Sequence, residues 1–123
     1  MIVIDTDIFI DLFRNQEPAK RLFSSVDFSS ILFSVITESE ILAGKDCDSQ
    51  SKKESMIHFL SGFTKMPVNN TIAQTAADFK RKYGLNLDDC LIAATAYHSV
   101  AVLYTRNEKD FSKIKEISIK IPY

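Results

Sequence analysis

The sequence contains short, continuous apolar runs that are separated by segments of helical period. This pattern limits the folds that the chain can adopt. The runs are Ile2–Ile4, Ile31–Phe33 and Val100–Tyr104. Apolar residues in unbroken runs, rather than in alternation, are typical of strands that are covered on both faces, as in a parallel sheet. Ile117–Ile121 alternates strictly, which predicts a strand with one solvent-facing side. Together these segments predict a mainly parallel central sheet.

Apolar residues recur every three or four residues in the segments between the runs, as they do in amphipathic helices. These segments are Ala19–Val26, Met56–Phe63 and Ile72–Tyr83. Pro18 suits the first turn of one helix, and Gly84 suits the end of another. Leu91–Tyr97 is apolar almost all round and predicts a helix within the core, whereas the polar stretch Asp46–Lys53 predicts a loop. Strands that alternate with helices predict an α/β sandwich.

Length and composition limit the remaining possibilities. A chain of 123 residues and 13.9 kDa has room for one domain, over residues 1–123. Its formal charge of −1 argues against a protein that coats nucleic acid non-specifically, but it is compatible with a local basic patch. Cys47 and Cys90 lack metal-ligand spacing and are too few for a disulfide scaffold, which indicates free thiols.

The sequence also predicts where the protein is found. No apolar run approaches the ~18 residues that span a bilayer. Met1–Asp5 lacks the basic residues with which a secretory signal begins. We therefore expect a cytoplasmic protein that makes no contact with a membrane.

Acidic residues follow the predicted strands repeatedly. They are Asp5 and Asp7 after the first run, Glu40 after the second, Asp88 and Asp89 before the apolar helix, and Asp110 after the third run. The carboxyl ends of parallel strands lie at one edge of the sheet, and α/β proteins bind their ligands in the crevice outside that edge. We therefore expect these carboxylates to lie close together.

A purely structural role is possible for each of these acids singly. The residue types that suit helix N-caps are found at Asp5, Thr6, Asp7 and Asp88. Thr37-x-x-Glu40 is a capping-box pattern. Capping, however, does not require several such positions to converge on one edge of the sheet.

Converging carboxylates predict a cation and a reaction. Carboxylates that lie together raise one another's pKa unless a cation neutralises them. Oxygen ligands without Cys or His favour Mg²⁺ or Mn²⁺. Such an ion activates water and stabilises the charge on a phosphate during transfer, which is the chemistry of phosphodiester hydrolysis.

Four segments, in this order, resemble the motifs of one protein family. They are Ile2-Val3-Ile4-Asp5-Thr6-Asp7, Thr37-x-x-Glu40, Asp89-Cys90-Leu91-Ile92-Ala93-Ala94-Thr95-Ala96 and Thr105-Arg106-Asn107-x-x-Asp110-Phe111. The chain resembles a PIN domain over essentially its whole length, and it is most similar to the VapC-type toxins of toxin–antitoxin pairs. The resemblance implies a PIN-like three-layer α/β/α sandwich with a mainly parallel central sheet.

The resemblance also implies an activity and a set of partners. The activity is that of a Mg²⁺- or Mn²⁺-dependent endoribonuclease that cuts structured RNA, commonly tRNA or rRNA. Such proteins are homodimers that a small antitoxin silences by covering the acidic cleft. Contact with operator DNA is then made indirectly, through the antitoxin.

The resemblance assigns the principal site residues position by position. Asp5 and Asp89 match the main metal-binding acids, and Glu40 matches the third acid. In the fourth motif Asn107 offers only a neutral oxygen, so Asp110 is assigned the remaining negative charge.

Neighbouring polar residues have supporting roles in this prediction. Asp7 departs from the commoner Asn or Ser, and it either strengthens metal binding or caps the first helix. Asp88 is interpreted as the cap beside the true ligand. Thr6 and Thr105 are expected to support the acidic positions, as is Asn107.

The predicted mechanism uses water as the attacking group, since neither histidine lies within the acidic motifs. Asp5 and Asp89 would hold the ion, and Glu40 would orient or deprotonate the water. Asp110 would complete the coordination shell or a second metal site. In-line attack would leave a 5′-phosphate and a 3′-hydroxyl.

Cations near the acids are the candidates for holding RNA. Arg106 and Lys109, beside the fourth motif, are the predicted phosphate contacts, and Arg14 after the first helix is a third candidate. The denser cluster Lys80–Lys82 is interpreted as a helix end whose cations interact favourably with the helix dipole.

Two other functions remain open. Asp5-Thr6-Asp7 after a strand also resembles the first motif of haloacid dehalogenase-like phosphatases, in which the first Asp attacks phosphate. That family needs a Lys and a later acidic pair, whereas Asp88-Asp89 opens a buried helix here. The second alternative is an inactive PIN-like module that only binds a partner; Asn107 favours it and the retained acids disfavour it. A receiver domain is disfavoured because Met66–Asn69 offers no phosphoacceptor Asp.

Overall fold

Five short strands form one sheet in a computed structural model that describes residues 1–123. The strands are β1 (Ile2–Ile4), β2 (Ile31–Ser34), β3 (Thr64–Met66), β4 (Val102–Tyr104) and β5 (Ile119–Lys120). Their order is β3-β2-β1-β4-β5, and every neighbouring pair is parallel. The chain builds outward from β1 to β3 and then crosses to β4 on the other side of β1. The direction of winding therefore reverses between β1 and β4.

Helices cover both faces of the sheet. They are α1 (Thr6–Phe13), α2 (Glu17–Ser25), α3 (Val35–Leu42), α4 (Gln50–Leu60), α5 (Asn70–Tyr83), α6 (Leu87–His98) and α7 (Glu108–Phe111). Two short 3₁₀ helices, Phe28–Ser30 and Lys45–Asp48, lie before β2 and α4. The predicted three-layer α/β/α sandwich with a parallel sheet is confirmed.

Alternating side chains of the strands divide the core into two clusters, one on each face of the sheet. Val3 and Leu32 pack with residues of α5 and α6. Ile4, Ile31 and Phe33 pack with residues of α1, α2 and α4. Because both faces are covered, these strands are apolar at nearly every position, which is why they are visible in the sequence.

Local sequence explains several helix ends. A carboxylate oxygen of Asp5 accepts a hydrogen bond from the Thr6 N–H at 2.8 Å and begins α1. Pro18 lies in the first turn of α2, where its missing N–H costs nothing. Gly84 ends α5 with a φ of 73°, a left-handed conformation that favours glycine. The predictions for Pro18 and Gly84 are confirmed, and of the residues whose type suits an N-cap it is Asp5 that caps α1.

Two capping predictions are wrong. Ser34 begins α3 by accepting the Ile36 N–H at 3.0 Å, so Thr37 and Glu40 lie inside the helix rather than in a capping box. Asn86 precedes α6, and Asp88 lies within its first turn instead of capping it. In both cases the helix begins earlier than the sequence indicated, so Glu40 and Asp88 do not cap it.

Three boundaries also differ from the sequence prediction. Most of Asp46–Lys53 is helical rather than a loop, since it spans a 3₁₀ turn and the start of α4. Strand β4 begins at Val102, because Val100 has a φ of 50° and is 90% exposed. Strand β3 was not predicted, because Thr64 and Lys65 are polar and exposed and only Met66 is partly buried, so the segment has no apolar run. None of the helices has the length and apolar character that crossing a lipid bilayer requires.

Candidate active site at the carboxyl edge of the sheet

Asp5 occupies the point where the sheet reverses its winding, directly after β1. Its neighbour Thr105 follows β4, and the Thr105 hydroxyl donates a hydrogen bond to Asp5 Oδ2 at 2.7 Å. The other oxygen, Oδ1, accepts the N–H of Thr6. Asp5 is only 5% exposed. Burial, followed by the negative charge of Asp7, raises the pKa of Asp5 to about 7.

Glu40 is attached to the same edge through α1. The Thr6 hydroxyl donates to Glu40 Oε1 at 2.7 Å and lies 3.0 Å from the hydroxyl of Thr37, which is fully buried. These contacts join α1 to α3 across 34 residues of sequence. Glu40 lies in the last turn of α3, and the Thr6 hydroxyl joins its carboxylate to the helix that begins directly after Asp5.

Asp89 lies in the first turn of α6 and is half-buried. Burial, followed by the charges of Glu40 and Asp110, raises the pKa of Asp89 to about 6. Glu40 belongs to α3 and Asp110 belongs to α7, so carboxylates from separate segments act on one another. The structure therefore brings Asp5, Glu40, Asp89 and Asp110 to one edge of the sheet.

Asn107 orients Asp110. The Asn107 side-chain amide donates to Asp110 Oδ2 at 3.1 Å, and its oxygen accepts the Asp110 N–H at 3.3 Å. The Asn107 N–H in turn donates to the Thr105 hydroxyl at 3.0 Å. A chain of hydrogen bonds thus runs from Asp110 through Asn107 and Thr105 to Asp5, which gives Asn107 a supporting position beside the acid.

Asp7 carries an unpartnered oxygen. Its Oδ2 accepts the N–H of Arg106 at 3.2 Å, while its buried Oδ1 has no hydrogen-bond partner. Burial raises the pKa of this carboxyl as well. Asp5, not Asp7, caps α1. An acceptor that is buried without a partner costs about 1–3 kcal/mol, which favours a binding role for Asp7 over a capping role.

The donor set fits a hard divalent cation. It consists of carboxylate oxygens and hydroxyls without thiols or imidazoles, and three of its acids, Asp5, Asp7 and Asp89, have raised pKa values. No three acidic, cysteine or histidine side chains are grouped closely enough to form a complete metal-ligand set. Mg²⁺ characteristically binds through one or two carboxylates and keeps several of its waters, so it does not require such a set.

The predicted RNA contacts lie on or next to helices α1 and α7. The Arg106 guanidinium lies 3.1 Å from Asp11 Oδ2 and 5.2 Å from the centre of the Tyr123 ring. Lys109 is exposed on α7. Arg14 is exposed at the end of α1 and lines a small pocket of about 160 Å³ together with Glu40.

Two residues of this region were not predicted from the sequence. Asp11 and Tyr123 meet in a hydrogen bond of 2.9 Å, from the tyrosine hydroxyl to the same Asp11 oxygen that pairs with Arg106. Asp11 lies four residues after Asp7 on α1, and that helical spacing was a usable signal. Nothing in the sequence around Tyr123 indicated its contact with α1.

Residues assigned no chemical role lie elsewhere. Cys90 is fully buried in the core cluster of α5 and α6. His98 lies 2.6 Å from the Thr75 hydroxyl on α5, and His58 is exposed on α4. Lys80–Lys82 form the last turn of α5, as predicted.

A parallel α/β/α sandwich whose winding reverses beside several carboxylates defines a class of α/β proteins with an acidic crevice at the carboxyl edge of the sheet. The family model for the PIN domain matches residues 2–117. The chain therefore belongs to the PIN domain family, as its motifs predicted.

Relatives with known names agree with this assignment. The chain is 30% identical over 126 residues to Ribonuclease VapC1 of Methanocaldococcus jannaschii, a match that covers 98% of this chain and 85% of the relative. Among solved structures, it is similar to a toxin–antitoxin complex from Klebsiella pneumoniae, with a TM-score of 0.88, 29% identity and coverage of 100% and 98% of the two chains. VapBC-1 from nontypeable Haemophilus influenzae gives a TM-score of 0.79 at 25% identity, with coverage of 98% and 97%. The resemblance to VapC-type toxins is thereby confirmed.

Proposed function

We propose that the chain is a Mg²⁺- or Mn²⁺-dependent endoribonuclease, a VapC-like toxin that hydrolyses phosphodiester bonds of tRNA or rRNA. The observation that supports this most directly is the electrostatic state of Asp89. Its pKa rises because burial and the charges of Glu40 and Asp110 act on it together. A divalent cation relieves this repulsion, and clustered acids of this kind are characteristic of functional sites. The ribonuclease name of its archaeal relative supports the choice of RNA.

The proposed mechanism gives each acid a separate task. Asp5 and Asp89 would hold the cation, which when bound lowers the pKa of water and neutralises charge on the phosphate. Glu40, oriented by the Thr6 hydroxyl, accepts the proton of the attacking water. The water oxygen bonds to phosphorus as the bond from phosphorus to the 3′ oxygen breaks, and the departing 3′ oxygen takes a proton from solvent, which leaves a 5′-phosphate and a 3′-hydroxyl. Asp110, held by Asn107, completes the acidic set.

Hydrogen bonds to Asp5 disfavour the phosphatase alternative. Both of its oxygens are engaged, by the Thr6 N–H and the Thr105 hydroxyl. These two bonds fix the orientation of the Asp5 carboxylate, which suits a cation ligand that stays in place better than a nucleophile that must move toward a phosphorus atom. The inactive-module alternative is disfavoured by the raised pKa values of Asp5 and Asp89, since burying these carboxylates destabilises the fold and a partner-binding scaffold gains nothing from it.

A large apolar groove offers a place for the proposed antitoxin. It has a volume of about 680 Å³ and lies between α1, α2 and α4. Its aromatic lining consists of Phe13, Phe23, Phe28 and Phe59, with Phe28 45% exposed, and Lys20 and Lys52 also line it. This chemistry suits an amphipathic helix with acidic flanks. Phe13 and Met56 also line the pocket beside Glu40, so a partner in this groove would lie next to the pocket that Glu40 lines.

The remaining partners follow from the same proposal. The solved relatives are toxin–antitoxin complexes, which supports a small antitoxin as the partner of this chain. A homodimer in the cytoplasm, with DNA contacts made through the antitoxin, completes the proposed assembly.

Incubation of the purified chain with total RNA tests the activity. We expect fragments with 5′-phosphates in Mg²⁺ or Mn²⁺ and none in EDTA. Asp89→Asn should lose cleavage by at least about a hundredfold, because metal assistance supplies several kcal/mol, while Asp48→Asn, an exposed acid outside the edge, should retain it. Equal cleavage in EDTA or by Asp89→Asn would contradict the mechanism, and a phosphorylated Asp5 would favour the phosphatase.

A further inference from the structure

We call the edge of the sheet that carries Asp5, Glu40, Asp89 and Asp110 the acidic edge. A second groove lies next to it. It has a volume of about 560 Å³ and lies between α2 and the carboxyl ends of β4 and β5. We call it the tyrosine groove, and define it by its two cations and two aromatic residues, Arg21, Lys120, Tyr104 and Tyr123. We propose that the tyrosine groove binds a single-stranded nucleotide of the RNA substrate, next to the nucleotide that is cut. This inference rests on the proposed ribonuclease function.

Backbone hydrogen bonds join the tyrosine groove directly to the acids. The Asp5 N–H donates to the Tyr104 carbonyl oxygen at 2.9 Å. The Thr105 N–H donates to the Lys120 carbonyl oxygen at 3.0 Å. Tyr104 and Lys120 are therefore each one hydrogen bond away from the residues that form the centre of the acidic site. An RNA strand that leaves the acids on this side enters the groove at once.

The charge of the groove is opposite to that of the acidic edge. Arg21 and Lys120 line it, and no acidic residue does. Both side chains are exposed, and neither forms an ion pair with an acid within 4 Å. Other cations, such as Arg14 and Lys109, are also unpaired, but Arg21 and Lys120 are the two that line the tyrosine groove. Two unpaired cations beside an acidic site are suited to bind phosphates that the acids themselves would repel.

Each tyrosine of the groove has a cation beside its ring. The Lys120 ammonium lies 5.3 Å from the centre of the Tyr104 ring, and the Arg106 guanidinium lies 5.2 Å from that of Tyr123. Both tyrosines are only partly buried. Aromatic rings next to cations are the usual means by which proteins bind single-stranded nucleic acid without regard to sequence, since bases stack on the rings and phosphates contact the cations.

Hydrogen bonds to α1 hold Tyr123 at the junction between the groove and the acids. Its hydroxyl donates to Asp11 Oδ2 at 2.9 Å, and Asp11 also receives the Arg106 guanidinium. The Arg106 N–H in turn donates to Asp7. The Tyr123 ring is thus fixed relative to the acidic edge, which gives a base stacked on it a defined distance from the site of cleavage.

The groove favours RNA over a protein partner. The large aromatic groove between α1, α2 and α4 is the more suitable surface for an amphipathic helix, because four phenylalanines line it. The tyrosine groove instead combines unpaired cations with polar aromatic rings. A peptide partner would bind it through acidic residues, and that possibility is an outcome of the experiment below.

RNA binding by matched charge variants tests the proposal. The probe is a labelled single-stranded oligoribonucleotide of about twelve residues, bound to the Asp89→Asn protein so that no cleavage occurs. Arg21→Gln/Lys120→Gln should weaken binding about tenfold and reduce the slope of log affinity against log salt by about 1.4, since each lost phosphate contact contributes about 0.7. The control Lys80→Gln/Arg81→Gln removes the same charge from α5, on the other face of the sheet, and should change affinity less than about twofold.

Substitutions of Tyr123 test stacking separately from its hydrogen bond. Tyr123→Phe keeps the ring and loses the bond to Asp11, while Tyr123→Leu loses both. If a base stacks on this ring, the Phe variant should bind within about threefold of the parent and the Leu variant about tenfold more weakly. Equal losses in the two variants would overturn the stacking role, because the hydroxyl alone would then account for the effect.

The outcomes separate this inference from the proposed function. In the cleavage assay, Arg21→Gln/Lys120→Gln should raise KM about tenfold with kcat nearly unchanged. If the wild-type chain cleaves RNA but the groove and control variants behave alike, the groove proposal is overturned and the ribonuclease proposal stands. If the groove variant loses affinity for an acidic peptide partner and not for RNA, the groove proposal is likewise overturned. If the wild-type chain neither binds nor cleaves RNA, both proposals fail.

Discussion

Helix α1 has two faces that serve opposite purposes. One face carries Asp7 and Asp11 toward the acidic edge, where a buried oxygen has no partner and pKa values are raised. The other face carries Ile8 and Phe9, both fully buried in the cluster under α1, α2 and α4. Burial of apolar area stabilises the fold, whereas burial of like charges destabilises it. We call Phe9, Phe23, Phe33 and Phe63 the phenylalanine cluster. The comparison indicates that packing of this cluster stabilises the fold and offsets the destabilising effect of the acidic edge.

Removal of the Phe9 ring should have the largest effect on stability. The ring centre of Phe9 lies 5.6 Å from that of Phe23 and 5.9 Å from those of Phe33 and Phe63. Phe9→Ala should lower the free energy of unfolding by about 3–5 kcal/mol, because a cavity replaces a closely packed ring. Denaturant unfolding at pH 8 in EDTA measures this. Phe28→Ala, at a ring that is 45% exposed, should cost about 1 kcal/mol or less; equal losses would contradict the assigned role of the cluster.

Neutralising Asp5 should stabilise the chain at neutral to alkaline pH. The folded state raises the pKa of Asp5 from 3.8 to about 7, so the folded protein binds more protons than the unfolded protein between these values. Stability in EDTA therefore falls as pH rises through that window. Asp5→Asn should remove this contribution and raise the free energy of unfolding at pH 8 by about 2 kcal/mol.

Thermal unfolding of wild type and Asp5→Asn between pH 4 and 8 measures the difference. Asp48→Asn, an exposed acid, is the control and should follow the wild type. Addition of Mg²⁺ at pH 8 should stabilise the wild type and leave Asp5→Asn almost unchanged. A variant that is less stable than the wild type at pH 8 would contradict the account of the acidic edge.

Thr105→Val should have an intermediate effect that depends on pH. Its hydroxyl is the partner of Asp5 Oδ2 and of the Asn107 N–H. The loss should be about 1–2 kcal/mol at pH 8, where Asp5 is charged, and smaller at pH 5, where Asp5 is protonated. Thr95→Val is the matched control, because Thr95 is also fully buried but donates to a backbone carbonyl in α6. Parallel pH profiles for the two variants would exclude a special dependence of Asp5 on Thr105.

Val100→Gly should give the smallest change, and in the stabilising direction. Val100 has a φ of 50° between α6 and β4, where its N–H donates to the Tyr97 carbonyl oxygen at 3.2 Å. A β-branched residue is strained in this conformation. Because the side chain is 90% exposed, glycine loses no packing and should stabilise the chain by about 0.5–1 kcal/mol. The gain should add to that of Asp5→Asn, since the sites are independent; a loss would show that the valine is favourable there.

The pattern of apolar residues predicted the strands that are buried on both faces of the sheet. Strands β1 and β2 are covered on both faces, so their apolar runs were visible without knowledge of their neighbours. Strand β3 lies at the edge of the sheet and consists of Thr64–Met66, which pair with β2 through backbone hydrogen bonds. Backbone hydrogen bonds do not require particular side chains, so this strand could not be predicted from the sequence.

Capping signals were the least dependable part of the sequence. Thr37-x-x-Glu40 and Asp88 have the composition of helix starts, yet each lies inside a helix. The same residue types serve as caps and as polar side chains at the carboxyl edge. The two uses are distinguished by which residue lies directly before the helix. That residue is Ser34 for α3 and Asn86 for α6.

The order of apolar runs and acids was enough to predict that Asp5, Glu40, Asp89 and Asp110 lie at one edge of a parallel sheet, because strand direction fixes which ends coincide. The hydrogen-bond partner of each acid, in contrast, depends on the folded arrangement. Thr105 meets Asp5 across 100 residues, and Tyr123 meets Asp11 across 112. Hydrogen bonding and desolvation depend on distance and burial in three dimensions, and neighbours in sequence do not specify either. The raised pKa of Asp5 and the tyrosine groove are therefore properties of the folded chain.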